Sequence, residues 1–229
     1  LHDQRTIFGV STTGKPATLS FLAPSYNEER EINESRLQAI NLIASINEVL
    51  QEYLPNQIGR FDDSFNINCI GDMFQYLGVS TLLFEAGHFA DDYEREKTRK
   101  YVFMALIASF KTLSENVIVS NGIDIYLNIP QNKAVFYDFI YKNIKINYDG
   151  IEKITNFAAQ YKEELIENQI CFNAYISEIG NLDGYFGHFE YNAKEALYKD
   201  DFDNIPKLDQ KADFYLNNNI KFVNGMIKI

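Results

Sequence analysis

The sequence is poor in the side chains that hold metals and in those that hold nucleic acid. It has three histidines, His2, His88 and His188, and two cysteines, Cys69 and Cys171, in 229 residues. Two cysteines at this spacing suggest neither a disulfide framework nor a zinc ribbon. Their apolar neighbours predict two buried thiols. Lys and Arg number 21 against 32 Asp and Glu, a net charge of -11. A surface this acidic repels phosphate backbones, and no basic stripe offsets it, so nucleic acid is not an expected partner. No apolar run reaches the ~18 residues of a membrane span, so no membrane partner is expected. The initiator methionine is also missing. The opening, Leu1-His2-Asp3-Gln4-Arg5, reads as a strand entered part-way.

What is present is enough for a core. The hydrophobic fraction is 46%, and 229 residues fit one large domain or two small ones. Residues 17–23, Ala-Thr-Leu-Ser-Phe-Leu-Ala, form a predicted buried strand between Pro16 and Pro24. A helix is predicted over about 34–54, with Asn33 as N-cap and Pro55 as its stop. A short helix is predicted over 68–77, and a buried strand over 79–84 that closes at Glu85-Ala86-Gly87-His88. The next helix spans about 92–113, with Val102, Leu106, Phe110 and Leu113 on one face. Asp91 and Glu94 have the spacing of its capping box. Strands that alternate with helices predict an α/β sheet.

The texture changes near residue 115, where Tyr, Phe, Ile and Asn begin to dominate. Strand-like runs are expected at 117–129 and 144–154, the second turning at Tyr148-Asp149-Gly150. Residues 132–143 have helical spacing, with Val135, Phe136, Phe139 and Ile140 on one face. Short aromatic or branched segments follow to the C-terminus. The expected organisation is an α/β domain over 1–114 and a smaller, mainly β (α+β) domain over 115–229.

Two segments concentrate the chemistry. One is His2 in the opening strand. The other is Leu82-Leu83-Phe84-Glu85-Ala86-Gly87-His88, a glutamate that closes an apolar strand before a glycine turn. Burying such a carboxylate is costly unless it has a partner. Strand ends of open α/β sheets are where sites form. Arg5 and Arg60 are candidates for holding a substrate carboxylate, because a guanidinium fork matches it; each also fits a surface or ion-paired role. Asp62, Asp63 and Asp72 read as loop residues, and His88 as a helix-entry or core residue. His188 goes with the β domain.

In their order and spacing, the histidine and the glutamate 83 positions later resemble the zinc carboxypeptidases of the M14 type. The resemblance covers about residues 1–113. It is closest to large bacterial members with an extra C-terminal domain. It implies that His2 is the last zinc ligand, that Glu85 is the general base, and that the helix over 92–113 is the final helix of the catalytic domain. It implies a Zn2+ cofactor and a peptide or related amide as substrate. The chain departs from the family in having no His-x-x-Glu. His2 is followed at three by Arg5, His88 by Asp91 and His188 by Tyr191. The resemblance places the two remaining ligands upstream of Leu1. The stretch that carries a tyrosine in many members reads Phe61-Asp62-Asp63-Ser64-Phe65-Asn66 here. Two other readings stay open: a zinc-dependent deacylase or amidase, and a catalytically incomplete binding protein working through its β domain.

Overall fold

The computed structural model describes residues 2, 3, 5–10, 14–202 and 204–228, with only the backbone at 2 and 3. The chain is mixed α/β and divides into two compact units, residues 1–134 and 135–229. The division expected after residue 114 thus falls earlier than this one. Residues 115–134 pack with the first unit, because Tyr126 and Ile129 belong to its core.

The first unit is built on a four-stranded mixed sheet of β1 (His2–Asp3), β3 (Leu19–Leu22), β4 (Ile58–Arg60) and β5 (Leu83–Ala86), in the order β1-β5-β3-β4. β1 runs parallel to β5, β5 antiparallel to β3, and β3 parallel to β4. A separate antiparallel pair joins β2 (Phe8–Val10) to β6 (Asn132–Ala134). Four helices accompany the strands: α1 (Glu34–Leu50), α2 (Ile70–Tyr76), α3 (Glu96–Glu115) and α4 (Ile123–Asn128). None of them is long and apolar enough to cross a membrane.

Side chains alternate across a strand, so the sheet has two different faces. Leu19 and Phe21 of β3, Ile58 of β4 and Phe84 of β5 join the core with Ala39, Ile40, Ile43 and Ile46 of α1. Each fully buried aliphatic or aromatic side chain there contributes about 1.5–3 kcal/mol. Phe21 and Phe84 are register partners and meet edge to face at 5.2 Å. α1 begins as expected, with the Asn33 side chain accepting from Arg36 N at 2.9 Å. It ends at Leu50, and a further turn carries the chain to Leu54 before Pro55.

α3 begins later than expected and by a different device. Asp91 and Glu94 do not form the capping box. Asp92 caps instead, its carboxylate accepting from Lys97 N at 3.1 Å and Thr98 N at 2.8 Å. The buried face is Thr98, Val102, Ala105, Ser109 and Thr112, whereas Phe110 and Leu113 are exposed. Cys69 is exposed and Cys171 half-buried, so the thiols are free and neither is the buried core thiol expected.

The second unit contains one mixed and one antiparallel sheet. The first joins β7 (Phe136–Tyr148), β8 (Ile151–Ile166), β9 (Gln169–Ile179) and β10 (Phe186–Asn192) in the order β10-β7-β8-β9, with β10 parallel to β7. The second joins β11 (Tyr198–Lys199), β12 (Phe214–Leu216), β13 (Ile220–Val223) and β14 (Met226–Lys228). Their shared core is aromatic: Phe214 stacks on Phe222 at 4.5 Å and meets Tyr141 edge to face at 5.0 Å. The helix expected over 132–143 is absent. That stretch is β6 and the first half of β7. Conversely, the strand-like run 117–129 holds α4.

Candidate functional site

One row of backbone partners crosses all four strands of the first sheet. His2 on β1 is in register with Glu85 on β5, Glu85 with Ser20 on β3, and Ser20 with Gly59 on β4. Neighbouring strands are about 4.8 Å apart, so the His2 and Glu85 backbones are immediate neighbours. The His2 side chain lies outside the described residues.

Glu85, Ser20 and Gly59 occupy the face of the sheet opposite Phe21 and Phe84. Glu85 is 3% exposed and Ser20 fully buried. Asn132 of β6 reaches this row, its Nδ2 donating to Ser20 Oγ at 2.8 Å. Gly59 makes the approach possible, because a Cβ there would stand 1.8 Å from Asn132 Oδ1. The row therefore sets a carboxylate, a hydroxyl and a primary amide along one face of the sheet, opposite the face that carries Phe21 and Phe84.

The turn after Glu85 is fixed at several points. Gly87 N donates to Thr18 O at 3.0 Å, and Thr18 Oγ1 donates to His88 O at 2.9 Å. Arg95 Nη2 donates to Ala86 O at 2.9 Å. His88 is buried with its ring 4.9 Å from Tyr93, in keeping with a core role. Burial alone would raise the pKa of the nearby Asp92 carboxyl. The N–H groups of Thr98 and Lys97, the Thr98 hydroxyl and His88 outweigh it and hold Asp92 below the usual range.

The candidate arginines are placed differently. Arg5 is exposed, with a left-handed backbone at φ 57. Arg60 is in register with Phe21 rather than Ser20, so it projects from the face opposite Glu85. Its guanidinium lies over the Tyr126 ring, 5.4 Å from the centroid. Its Nε is buried with no hydrogen-bond partner among the described residues. The sheet does not bring Arg60 to Glu85.

Asp63 pairs with Arg36 at 2.5 Å and with Arg30 at 3.1 Å, and so ties the loop after β4 to the start of α1. Asp72 is buried, and burial raises its pKa despite the hydrogen bond it accepts from Asn66 N. His188 stacks on Phe136 at 4.7 Å in the second unit.

Ser20, Gly59 and Asn132 are not among the candidates that the sequence offers. Ser20 carries a weak signal, a hydroxyl inside the apolar run Leu19-Ser20-Phe21-Leu22. Asn132 carries none, since it comes from 112 residues away. Among the described residues, no group of three or more His, Cys, Asp or Glu side chains converges to hold a metal ion. No protein family, curated protein or solved structure matches this chain.

Proposed function

We propose that this chain carries part of the apparatus of a zinc-dependent metallopeptidase, a carboxypeptidase-like hydrolase acting on a C-terminal peptide bond or a related amide. In this reading Glu85 is the general base and His2 one zinc ligand. The supporting observation is the register of His2 with Glu85 on adjacent parallel strands. Adjacent backbone positions allow two side chains to serve one water molecule.

Zinc takes three protein ligands and keeps one open position. The described residues supply no such set, and the sequence has no His-x-x-Glu. They do not by themselves fit a zinc site, so no step is drawn through the metal. The chain's own contribution is a carboxylate, 3% exposed, on a strand pinned by the turn at Gly87 and His88. Such a group takes a proton from an attacking water and returns it to the leaving amine.

The test measures zinc content and hydrolysis of peptides with a free C-terminus, in the wild type and in Glu85→Gln. In a protein that joins two further zinc ligands to these residues, the expected result is about one zinc in both and hydrolysis only in the wild type; residues 1–229 alone should hold zinc poorly and be inactive, because one histidine cannot hold the metal. A fully active Glu85→Gln protein removes the general-base role. The missing ligand set favours a second reading, a catalytically incomplete binding protein. In the protein with the added ligands, a folded wild type with neither zinc nor hydrolysis supports that reading. Zinc with cleavage of non-peptide amides alone points to the deacylase or amidase variant.

A further inference from the structure

α2 is turned inside out. Its buried side chains are polar, Asp72 and Gln75. Gln75 Nε2 donates to Ser35 Oγ at 2.9 Å, and Gln75 Oε1 accepts from Thr81 N at 3.0 Å. These bonds fix which way the helix faces. The outward face is Ile70, Met73, Phe74 and Leu77, the i, i+3, i+4, i+7 spacing by which a helix docks into a partner. Ile70 is 71% exposed and Leu77 64%, and Ile67, Tyr76 and Val79 extend the exposed apolar surface. A helix that spends its polar groups inward and leaves its apolar ones in water has the pattern of an interface.

We infer that this face associates with the same face of a second copy of the chain. Two arguments identify the occupant. The first is charge. Between Ser64 and Phe84 the only charged residue is Asp72, and it is buried. Copies carrying -11 each repel over most of their surface, and this stretch can meet itself without adding like charges. Depletion of charge with enrichment of Phe, Tyr and Met is also the composition of interface cores.

The second argument is area. At about 150–250 Å² for a fully exposed aromatic side chain, and somewhat less for an aliphatic one, the seven residues present roughly 600–700 Å² per copy. A two-fold contact of identical patches doubles this, which reaches the ~1,200–2,000 Å² of stable interfaces. A second exposed apolar stripe, Phe103, Ile107 and Phe110 on α3, lacks the first property. Arg99, Lys100 and Lys111 flank it, and pairing it with itself opposes like charges. The inference stands apart from the catalytic reading and uses none of its residues.

The test is sedimentation and light scattering of the 229-residue chain from about 1 to about 100 μM, where interfaces of this size associate. The chain is compared with Phe74→Glu, Leu77→Glu and, on α3, Phe110→Glu. The expected result is a dimer for the wild type and for Phe110→Glu. Each α2 variant should raise the dissociation constant about tenfold or more. Raised salt should hold or strengthen the wild-type dimer, because it screens net repulsion; this readout needs no variant to fold. A wild type that stays monomeric, a dimer that both α2 variants keep, loss of the dimer in Phe110→Glu, or a dimer dissolved by salt would each overturn the inference.

Discussion

Gly59 and Asn132 approach each other more closely than any β-carbon allows, with Asn132 Oδ1 1.8 Å from where a Gly59 Cβ would stand and Ser20 Oγ 3.1 Å from the same point. Gly59→Ala therefore has to move the Asn132 amide and break its bond to Ser20. The expected loss is about 1–3 kcal/mol, from overpacking and a buried amide left without its partner. Urea denaturation measures it. A Gly59→Ala protein as stable as the wild type would show that Asn132 is free to swing away.

Arg36 is a buried cation of the first unit, 2% exposed. It donates to Ala23 O at 3.2 Å, Arg30 O at 2.6 Å, Glu31 O at 3.1 Å and Asp63 Oδ2 at 2.5 Å. Arg36→Met strands these acceptors and is expected to cost about 3–5 kcal/mol. Arg36→Lys should rescue little, because one ammonium cannot reproduce the planar fork. Asp63→Asn should cost less, about 1–2 kcal/mol, because an amide oxygen can still accept. Equal stability of the Lys variant and the wild type would contradict the network.

Asp72 and Asp92 lead to opposite pH dependences. Burial raises the Asp72 pKa. Its contribution to stability is complete below the unfolded value of about 3.9 and is lost as the pH rises through the higher folded value. Asp72→Asn is therefore expected to raise Tm at neutral pH, with the gain vanishing below about pH 4. The Asp92 pKa is lowered, since its hydrogen bonds and His88 outweigh the effect of burial. Its contribution is present above about 3.9 and is lost as the pH falls through the lower folded value. Asp92→Asn should cost about 1–2 kcal/mol near pH 7, and the two proteins should converge in acid. Thermal melts from about pH 3 to about pH 7 check both; gaps of the same sign would refute the pair.

In the second unit, Phe214 and Phe202 set the scale. Phe214 is 1% exposed and stacks on Phe222, while Phe202 is 86% exposed. Phe214→Ala should destabilise by about 3–5 kcal/mol. Phe202→Ala should stay within about 0.5 kcal/mol of the wild type. Chemical denaturation followed by near-ultraviolet circular dichroism distinguishes them, because the aromatic cluster supplies the signal.

The regular signals in the sequence were legible where local and tertiary demands agree. Asn33 caps α1, Leu19–Leu22 is a strand, and Tyr148-Asp149-Gly150 turns β7 into β8, as turn chemistry dictates. They failed where the two demands diverge. Val135, Phe136, Phe139 and Ile140 repeat at helical spacing, yet β7 is a strand with Phe139, Ile140 and Tyr141 all buried. A strand covered on both faces has no alternation to show, so chance spacing imitates a helix. Phe110 and Leu113 were expected on the buried face of α3, but the sheet and α1 take the small side chains of Ala105 and Ser109 instead. Of the candidate site, Glu85 was visible, although its strand is Leu83–Ala86 and mostly half-buried, where a buried strand over 79–84 was expected. The row that Glu85 belongs to was not visible, because Ser20, Gly59 and Asn132 meet only once three distant strands are in place.

The parallel pairing of β7 with β10 has a mechanical consequence. Six backbone partners, from Phe136 with Phe186 to Asn192 with Lys142, tie the first strand of the second unit to one entered some fifty residues later. Tension applied at Phe136 and Asn192 would pull these two strands along their length in opposite senses. The bonds between them would then be loaded together in shear instead of being peeled one by one, which makes this seam the part of the unit best built to resist stretching.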